Sequence, residues 1–429
     1  MIRLAVITTH PVQYYAPWFR HIAATSGIDL RVFYLWDFGV TEQVDPAFKA
    51  RVRWDIPLLD GYPHEFVPNN SRRPGTTSFW GIDNPLLGRS LRAFQPSAAL
   101  CLGYNYATFA RLLLAQPRYP LLLRGDSHRL IPPRGWKASL KRGVLTALFR
   151  QFSAFLYVGQ ANRQYYKLHG APDHKLFFCP HAVDNDRFTA ARSTAAAQAA
   201  DWRRALGIPT DHRVILFAGK FEAKKRPLDL LVAFRRAAPT RASLLFVGSG
   251  PLDNSLRREA EGLGNVYITP FQNQTLMPRT YAAADIMVLP SHGPSETWGL
   301  SVNEAMCLGR PVVVSSHVGC GLDLVSPGKT GWIFPAGDVA ALAATLTEAL
   351  ADPERLATYG EEAAHAVGQY SYTEATAGLC RALQAVTPYQ RIGPSPQSRS
   401  RSVSQDSYTD STANSATYTI AHQQISCEL

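Results

Sequence analysis

Short, predominantly apolar runs constrain this chain more than any other feature. In the first half they read IRLAVITT, DLRVFYLW, SAALCLG, YPLLLRG, AFLYVG and KLFFCPH; in the second, RVILFAG, ASLLFVG, NVYITP, DIMVLP and RPVVVSS. A strand with one wet face alternates polar and apolar residues, whereas these runs need cover on both faces, as parallel strands receive from flanking helices. Amphipathic segments between the runs supply that cover. The expected fold is α/β, with two Rossmann-like doubly wound domains in tandem.

The boundaries follow from changes of pattern. Residues 1–187 read as the first domain and 188–369 as the second. FTAARSTAAAQAADWRRALGIPTDH at their junction reads as a connector with one short helix, the boundary falling near 187–210. Residues 370–386 have apolar positions at helical spacing and predict a terminal helix that packs on something already built. From residue 387 Ser, Thr, Gln and Pro dominate, so 387–429 is expected to be a disordered tail. Its SRSRSVS repeat is read as solvated chain rather than an RNA-binding element.

A chain of 429 residues with 46% hydrophobic residues can fill two cores. No stretch reaches the roughly 18 consecutive apolar residues of a spanning helix, and MIRLAVITTH runs into PVQYYAPWFRH without a small-residue cleavage site, so a cytosolic protein is expected. The six cysteines lack CxxC pairing and histidines at zinc spacing, and read as reduced core filler. A net charge of +11 favours anionic partners such as nucleotides, phosphorylated lipids or a membrane surface, without choosing among them.

SETWGLSVNEAM, residues 295–306, follows the strand-like DIMVLP and brackets Trp298, Gly299 and Leu300 with two glutamates, Glu296 and Glu304. Ligands of open parallel sheets gather outside the carboxyl ends of the strands. A helix opening at about Trp298 to Leu300 would turn its free N–H groups toward such a ligand and favour a phosphate. Joined by helix, the glutamates would stand roughly 12 Å apart along the axis. That exceeds the roughly 5–9.5 Å of a glycosidase pair. It suits two acceptors gripping the sugar and ribose ends of a sugar nucleotide, with the diphosphate between. RVILFAG likewise ends at Gly219 and is followed by Lys220 and then by Lys224, Lys225 and Arg226, cations that a departing diphosphate needs. Lys224 and Arg226 are read as solvated.

Five blocks in order, GKFEAKKRPLDLLVAF, FVGSGPL, YAAADIMVLPS, SETWGLSVNEAMCLGRPVVVS and GKTGWIFPAGDVAALA, resemble the retaining glycosyltransferases of family four, also called group 1. The likeness covers residues 175–385 well, including CPHAVDNDRF at the junction, and the first half more loosely. It implies the GT-B fold, two Rossmann-like domains facing across a cleft. It also implies transfer of a sugar from a nucleotide-diphosphate donor to a hydroxyl acceptor, with retention and without a metal or further cofactor. Glu296 looks like the family's glutamate that contacts donor-sugar hydroxyls, Glu304 like the one that binds the ribose. Thr297 to Leu300 would offer N–H groups, and Lys220 and Lys225 would neutralise the diphosphate. Where the family has a glycine turn near the base, this chain has Phe271 to Asn273, which leaves the base open.

In the amino-terminal half, His10, Gln13 and Tyr14 follow the first strand and either line the cleft or cap the next helix. Arg124, Asp126 and His128 stand at the end of another strand. The resemblance puts a donor-facing residue there, and Asp126 and His128 both qualify. Asp126 is assigned as a site residue, not a nucleophile, because in the family's favoured route the departing phosphate takes the acceptor's proton. IPPRGWKASLKRGVLTALFRQF either lies on an anionic bilayer, bringing the enzyme peripherally to a membrane's inner face, or packs on its own sheet with its lysines solvated.

Other motifs fail. The DND of Asp184 to Asp186 mimics a metal-binding DxD but lies in the junction block, so no metal is expected. PGKT lacks the earlier glycine of a P-loop, a position held by Asp323. In VGSGPL, Gly248 and Gly250 permit close backbone approach near the donor phosphates. Cell-envelope polysaccharide or glycolipid synthesis, on a sugar or lipid-linked acceptor and with no nucleic-acid partner, is the expected setting. An epimerase or phosphorylase on the same fold, or a non-catalytic sugar-nucleotide binder, are the alternatives. The first two would show themselves by needing no acceptor or by consuming free phosphate.

Overall fold

A computed structural model describes residues 1–40, 43–45, 50–52, 54–131 and 135–387. The Arg-Ser tail beyond Thr387 lies outside them.

Two parallel sheets organise the chain. The first contains β1 (Arg3–Thr8), β2 (Asp29–Tyr34), β5 (His64–Phe66), β6 (Ala98–Cys101), β7 (Leu121–Arg124), β8 (Ala154–Tyr157) and β9 (Leu176–Phe178), in the order β5-β2-β1-β6-β7-β8-β9. A short antiparallel ribbon, β3 (Gln43–Asp45) with β4 (Ala50–Val52), stands apart from it. The second sheet contains β10 (Arg213–Ala218), β11 (Ala242–Val247), β12 (Val266–Thr269), β13 (Ile286–Leu289), β14 (Val312–Ser315) and β15 (Gly331–Phe334), in the order β12-β11-β10-β13-β14-β15. Each order reverses once, between β1 and β6 and between β10 and β13. Those reversals are where open sheets hold ligands.

Most of the apolar runs are buried as their lack of alternation requires, while the edge strands β9 and β12 are mostly half-buried. Every residue of β11, β13 and β14 is buried, and separate apolar clusters form on the two faces of each sheet. Cys101, Cys179, Cys307 and Cys320 are buried free thiols.

One element differs from the sequence reading. The connector holds two helices, Asn185–Ala190 and Arg192–Ala205, rather than one short one. Alanine lowers the cost of helix formation, and Ala195 and Ala199 bury one side of the longer helix. Asp184 of the DND motif is the amino-terminal cap of the shorter one, accepting from the Arg187 N–H at 3.0 Å.

The terminal helix, Tyr372–Val386, returns to the first sheet. Ser371 caps it, accepting from the Glu374 N–H at 3.3 Å. Its Ala375, Leu379, Ala382 and Leu383 join the amino-terminal core, and the Trp18 indole donates to Thr376 Oγ1 at 3.1 Å. Burying each leucine contributes about 1.5–3 kcal/mol. Contact is close enough that a Cβ on Gly378 would meet the Phe178 carbonyl oxygen at 1.8 Å.

Candidate functional site

A cavity of about 520 Å³ opens between the lobes at both sheet reversals. Of the residues singled out from sequence, His10, Asp126, Gly219, Lys220, Lys225, Gly248, Glu296, Thr297, Trp298, Gly299, Leu300 and Glu304 line it. Gly250 does not. A Cβ there would meet the Phe221 backbone at 2.8 Å, and one on Gly248 would meet the Gly219 oxygen at 1.9 Å. The close approach these glycines permit is therefore to the chain's own loop after β10.

The glutamate stretch is only partly helical. The helix runs Leu300–Cys307, so Glu304 rides on it while Glu296 sits in the preceding loop, and the spacing of one continuous helix does not apply. Gly299 begins the helix at φ +101°, a conformation costly for other residues, and a Cβ there would meet Leu289 at 2.9 Å. Gly299, Leu300 and Ser301 at the helix start line the cavity, while the Val302 N–H donates to the Gly299 carbonyl oxygen at 2.9 Å. Trp298 also lines the cavity. Its indole is buried and donates to Asn303 Oδ1 at 2.8 Å, which pins the loop to the helix.

At one end of the cavity, Glu296 Oε2 accepts from the Ser291 hydroxyl at 2.8 Å and pairs with Lys225. Lys224, read as solvated, pairs with Glu222 at 3.3 Å and reaches the cavity wall. Arg226 pairs with Asp229 at 2.8 Å.

At the other end, Glu304 is 2% exposed and accepts from the Tyr281 hydroxyl at 2.7 Å. Among the described residues its second oxygen, Oε1, is buried with no hydrogen-bond partner. Burial pushes this carboxyl up, against the Tyr281 hydrogen bond and the Arg187 charge. Beside it, Arg187 donates to the Gln274 backbone oxygen at 2.7 Å and to its Oε1 at 2.8 Å. Because a guanidinium only donates, Arg187 holds the Gln274 amide with its oxygen toward the guanidinium, and Gln274 lines the cavity with Glu304.

From the amino-terminal lobe, Asp126 faces the cavity, and its carboxylate accepts from the Thr297 hydroxyl at 2.6 Å. His181 Nε2 is 3.7 Å away. Burial would raise the Asp126 carboxyl, but His181 and then Thr297 override it and hold it at about 2. Burial pushes His181 down, against the hydrogen bond to Asp126. Arg124 approaches its Nδ1 at 3.5 Å, which leaves the proton on Nε2, toward Asp126. His128 instead turns Nε2 to the Glu296 carbonyl oxygen at 3.3 Å. His10 stands edge-on to Trp36 and Phe38, ring centroids 5.6 and 5.4 Å away.

Sequence reasoning had not assigned His181, Ser291, Tyr281 or Gln274. His181 lies within the quoted junction block, but no spacing ties it to Asp126.

Residues 198–366 match the model of the family described as glycosyl transferases group 1. D-inositol 3-phosphate glycosyltransferases are similar to this chain: that of Xylanimonas cellulosilytica is 31% identical over 220 residues, 50% of this chain and 52% of that protein. That of Mycolicibacterium smegmatis is 30% identical over 247 residues, 55% of this chain and 54% of the relative. The chain thus spans about half the length of the curated relatives it matches. Solved structures extend the likeness in fold. Anabaena Alr3699/HepE in complex with UDP and glucose superposes with a TM-score of 0.68 at 16% identity, covering 90% of this chain and 100% of that one. Sucrose-phosphate synthase from Thermosynechococcus elongatus gives 0.66 at 19%, covering 91% and 100%. The fold is GT-B.

Proposed function

We propose that the chain is a retaining glycosyltransferase that moves a sugar from a nucleotide-diphosphate donor to a hydroxyl acceptor, residues 1–187 forming the acceptor side and 188–369 the donor side. One observation carries this reading: a single cavity is lined by a cation-paired glutamate, a helix amino terminus and a buried glutamate with an unpartnered oxygen. Glu304 Oε1 takes a ribose hydroxyl, the helix terminus with Lys220 and Lys225 takes the diphosphate, and Glu296 orients the sugar. As the sugar–phosphate bond breaks, negative charge grows on the leaving oxygen, where these fixed dipoles and cations stabilise it. The acceptor hydroxyl enters on the same face and gives its proton to that oxygen, which retains the anomeric configuration. Asp126, ionised and tied to Thr297, aligns the glutamate loop. The positive charge the leaving group needs comes from the protein, so the reading requires no metal. UDP and glucose in the Anabaena structure support a sugar-nucleotide donor.

The setting we propose is cell-envelope polysaccharide or glycolipid synthesis at a membrane's inner face, on a sugar or lipid-linked acceptor. The helix Trp136–Phe149 supports the membrane surface as a partner. It buries Leu145 and Phe149 in its own lobe but exposes Trp136, Leu140 and Val144, one stripe at four-residue spacing. No acidic residue occurs from 127 to 172, and Lys141, Arg142 and Arg150 lie on this helix or at its end. Arg134 lies outside the described residues.

A thermal-shift panel of nucleotide sugars tests the donor. A donor at 100 times its Kd stabilises by about 2.7 kcal/mol. Incubation with acceptor glycans and proton NMR of the product then reads the anomeric configuration; inversion, or turnover without acceptor, would refute the proposal. Co-sedimentation with vesicles containing phosphatidylglycerol tests the surface, and Leu140→Glu should abolish it.

A further inference from the structure

Beyond Glu304 the cavity is closed by both lobes. Trp54 of the amino-terminal lobe and Phe271, after β12, both line it, their rings 6.1 Å apart at 75°. The next residue, Asp55, crosses the gap. Its carboxylate oxygens accept from the Thr275 backbone N–H at 3.2 Å each, and also from the Thr275 hydroxyl.

The indole is fixed from behind. With Ile56 and Leu59 it packs on the amino-terminal core, beside Gly39, whose φ of +93° turns the chain after Phe38, another cavity-lining ring. Thr275 lies in the short turn Gln274–Leu276, and Gln274 is held by Arg187, whose charge also acts on Glu304. The Asp55 contact therefore falls at Thr275, next to Gln274 at the Glu304 end of the cavity, whereas Lys225 and Glu296 mark the opposite end.

We propose that Trp54 and Asp55 complete the nucleobase subsite, so that the donor's base is held between the two lobes. This rests on the nucleotide-sugar reading. With phosphates at the helix terminus and ribose at Glu304, the base extends past Glu304 to the Trp54 and Phe271 rings. Every base has a π-face, so stacking there strengthens binding without selecting strongly among bases. Asp55 holds the indole in place through Thr275. A ligand that touches both lobes binds their closed arrangement best, which makes donor binding and closure one equilibrium.

Calorimetry with UDP, ADP and GDP on the full chain tests this, with ribose 5-diphosphate as the ligand that lacks a base. Trp54→Ala should weaken the best-binding nucleotide about tenfold. Trp54→Phe should restore most of that affinity, and ribose 5-diphosphate should bind both variants as it binds the wild type. Asp55→Ala should speed nucleotide release in stopped flow. Equal nucleotide affinity in wild type and Trp54→Ala, or an equal loss for ribose 5-diphosphate, overturns the subsite while leaving the donor reading intact. Failure of the wild type to bind any of the nucleotides overturns both.

Discussion

Glu296 and Glu304 are the same side chain eight positions apart, yet the fold treats them in opposite ways. Glu296 stands in a loop with a lysine and a serine hydroxyl on one oxygen, so its charge is balanced within the protein. Glu304 rides on a buried helix, receives a phenol on one oxygen, and among the described residues has no partner for the other. The first arrangement suits a place where charge moves during a reaction. The second suits a place where a neutral hydroxyl is held, since a buried acceptor without a donor gains most from one.

Removing the cation should break this contrast most severely. Lys225→Ala strips Glu296 of its partner and the diphosphate of a counter-charge, and transfer should slow about 100- to 1,000-fold in kcat, read in steady-state assays. Glu304→Ala should act on binding instead, weakening the donor about 10- to 100-fold in calorimetry with a smaller change in kcat. If the two variants showed the same pattern, the glutamates would not differ in role.

The contrast also has a pH form. A carboxyl raised by burial takes up more protons folded than unfolded, so Glu304 costs stability increasingly as pH rises above its ordinary value near 4.3. Glu304→Gln should therefore melt higher than wild type at pH 7, the gain vanishing below about pH 4. Asp126, held at about 2, has the opposite sign: its contribution is present above about 3.9 and is lost as pH falls toward 2. Asp126→Asn should melt lower at pH 7, with the deficit shrinking across that window. Smallest is Lys224→Ala, whose half-exposed pair with Glu222 is worth under about 1 kcal/mol in chemical denaturation.

The sheets were largely legible because burial on both faces leaves an unbroken apolar run. Six of the seven strands of the first sheet and five of the six in the second carry one. The exceptions have local reasons: β5, His64–Phe66, carries polar His64 and Glu65, and β15, Gly331–Phe334, opens on a glycine and leaves Ile333 exposed. The site was legible where one strand end supplies it, as at Gly219–Lys225 and Glu296–Glu304. It was not legible where partners come from distant segments. Asp126 meets Thr297 across 171 residues and Asp55 meets Thr275 across 220, and no local spacing encodes such pairs.

The return of the terminal helix to the first sheet means that the chain passes between the lobes twice, after Phe178 and again after Val367. Asn185 Nδ2 donates to the Val367 carbonyl at 3.2 Å, so the two passages run side by side. A door hung on two pins swings but does not wobble, and a pair of adjoined crossings restrains this molecule in the same sense. Any opening of the lobes would then be a swing about that line, with skew resisted.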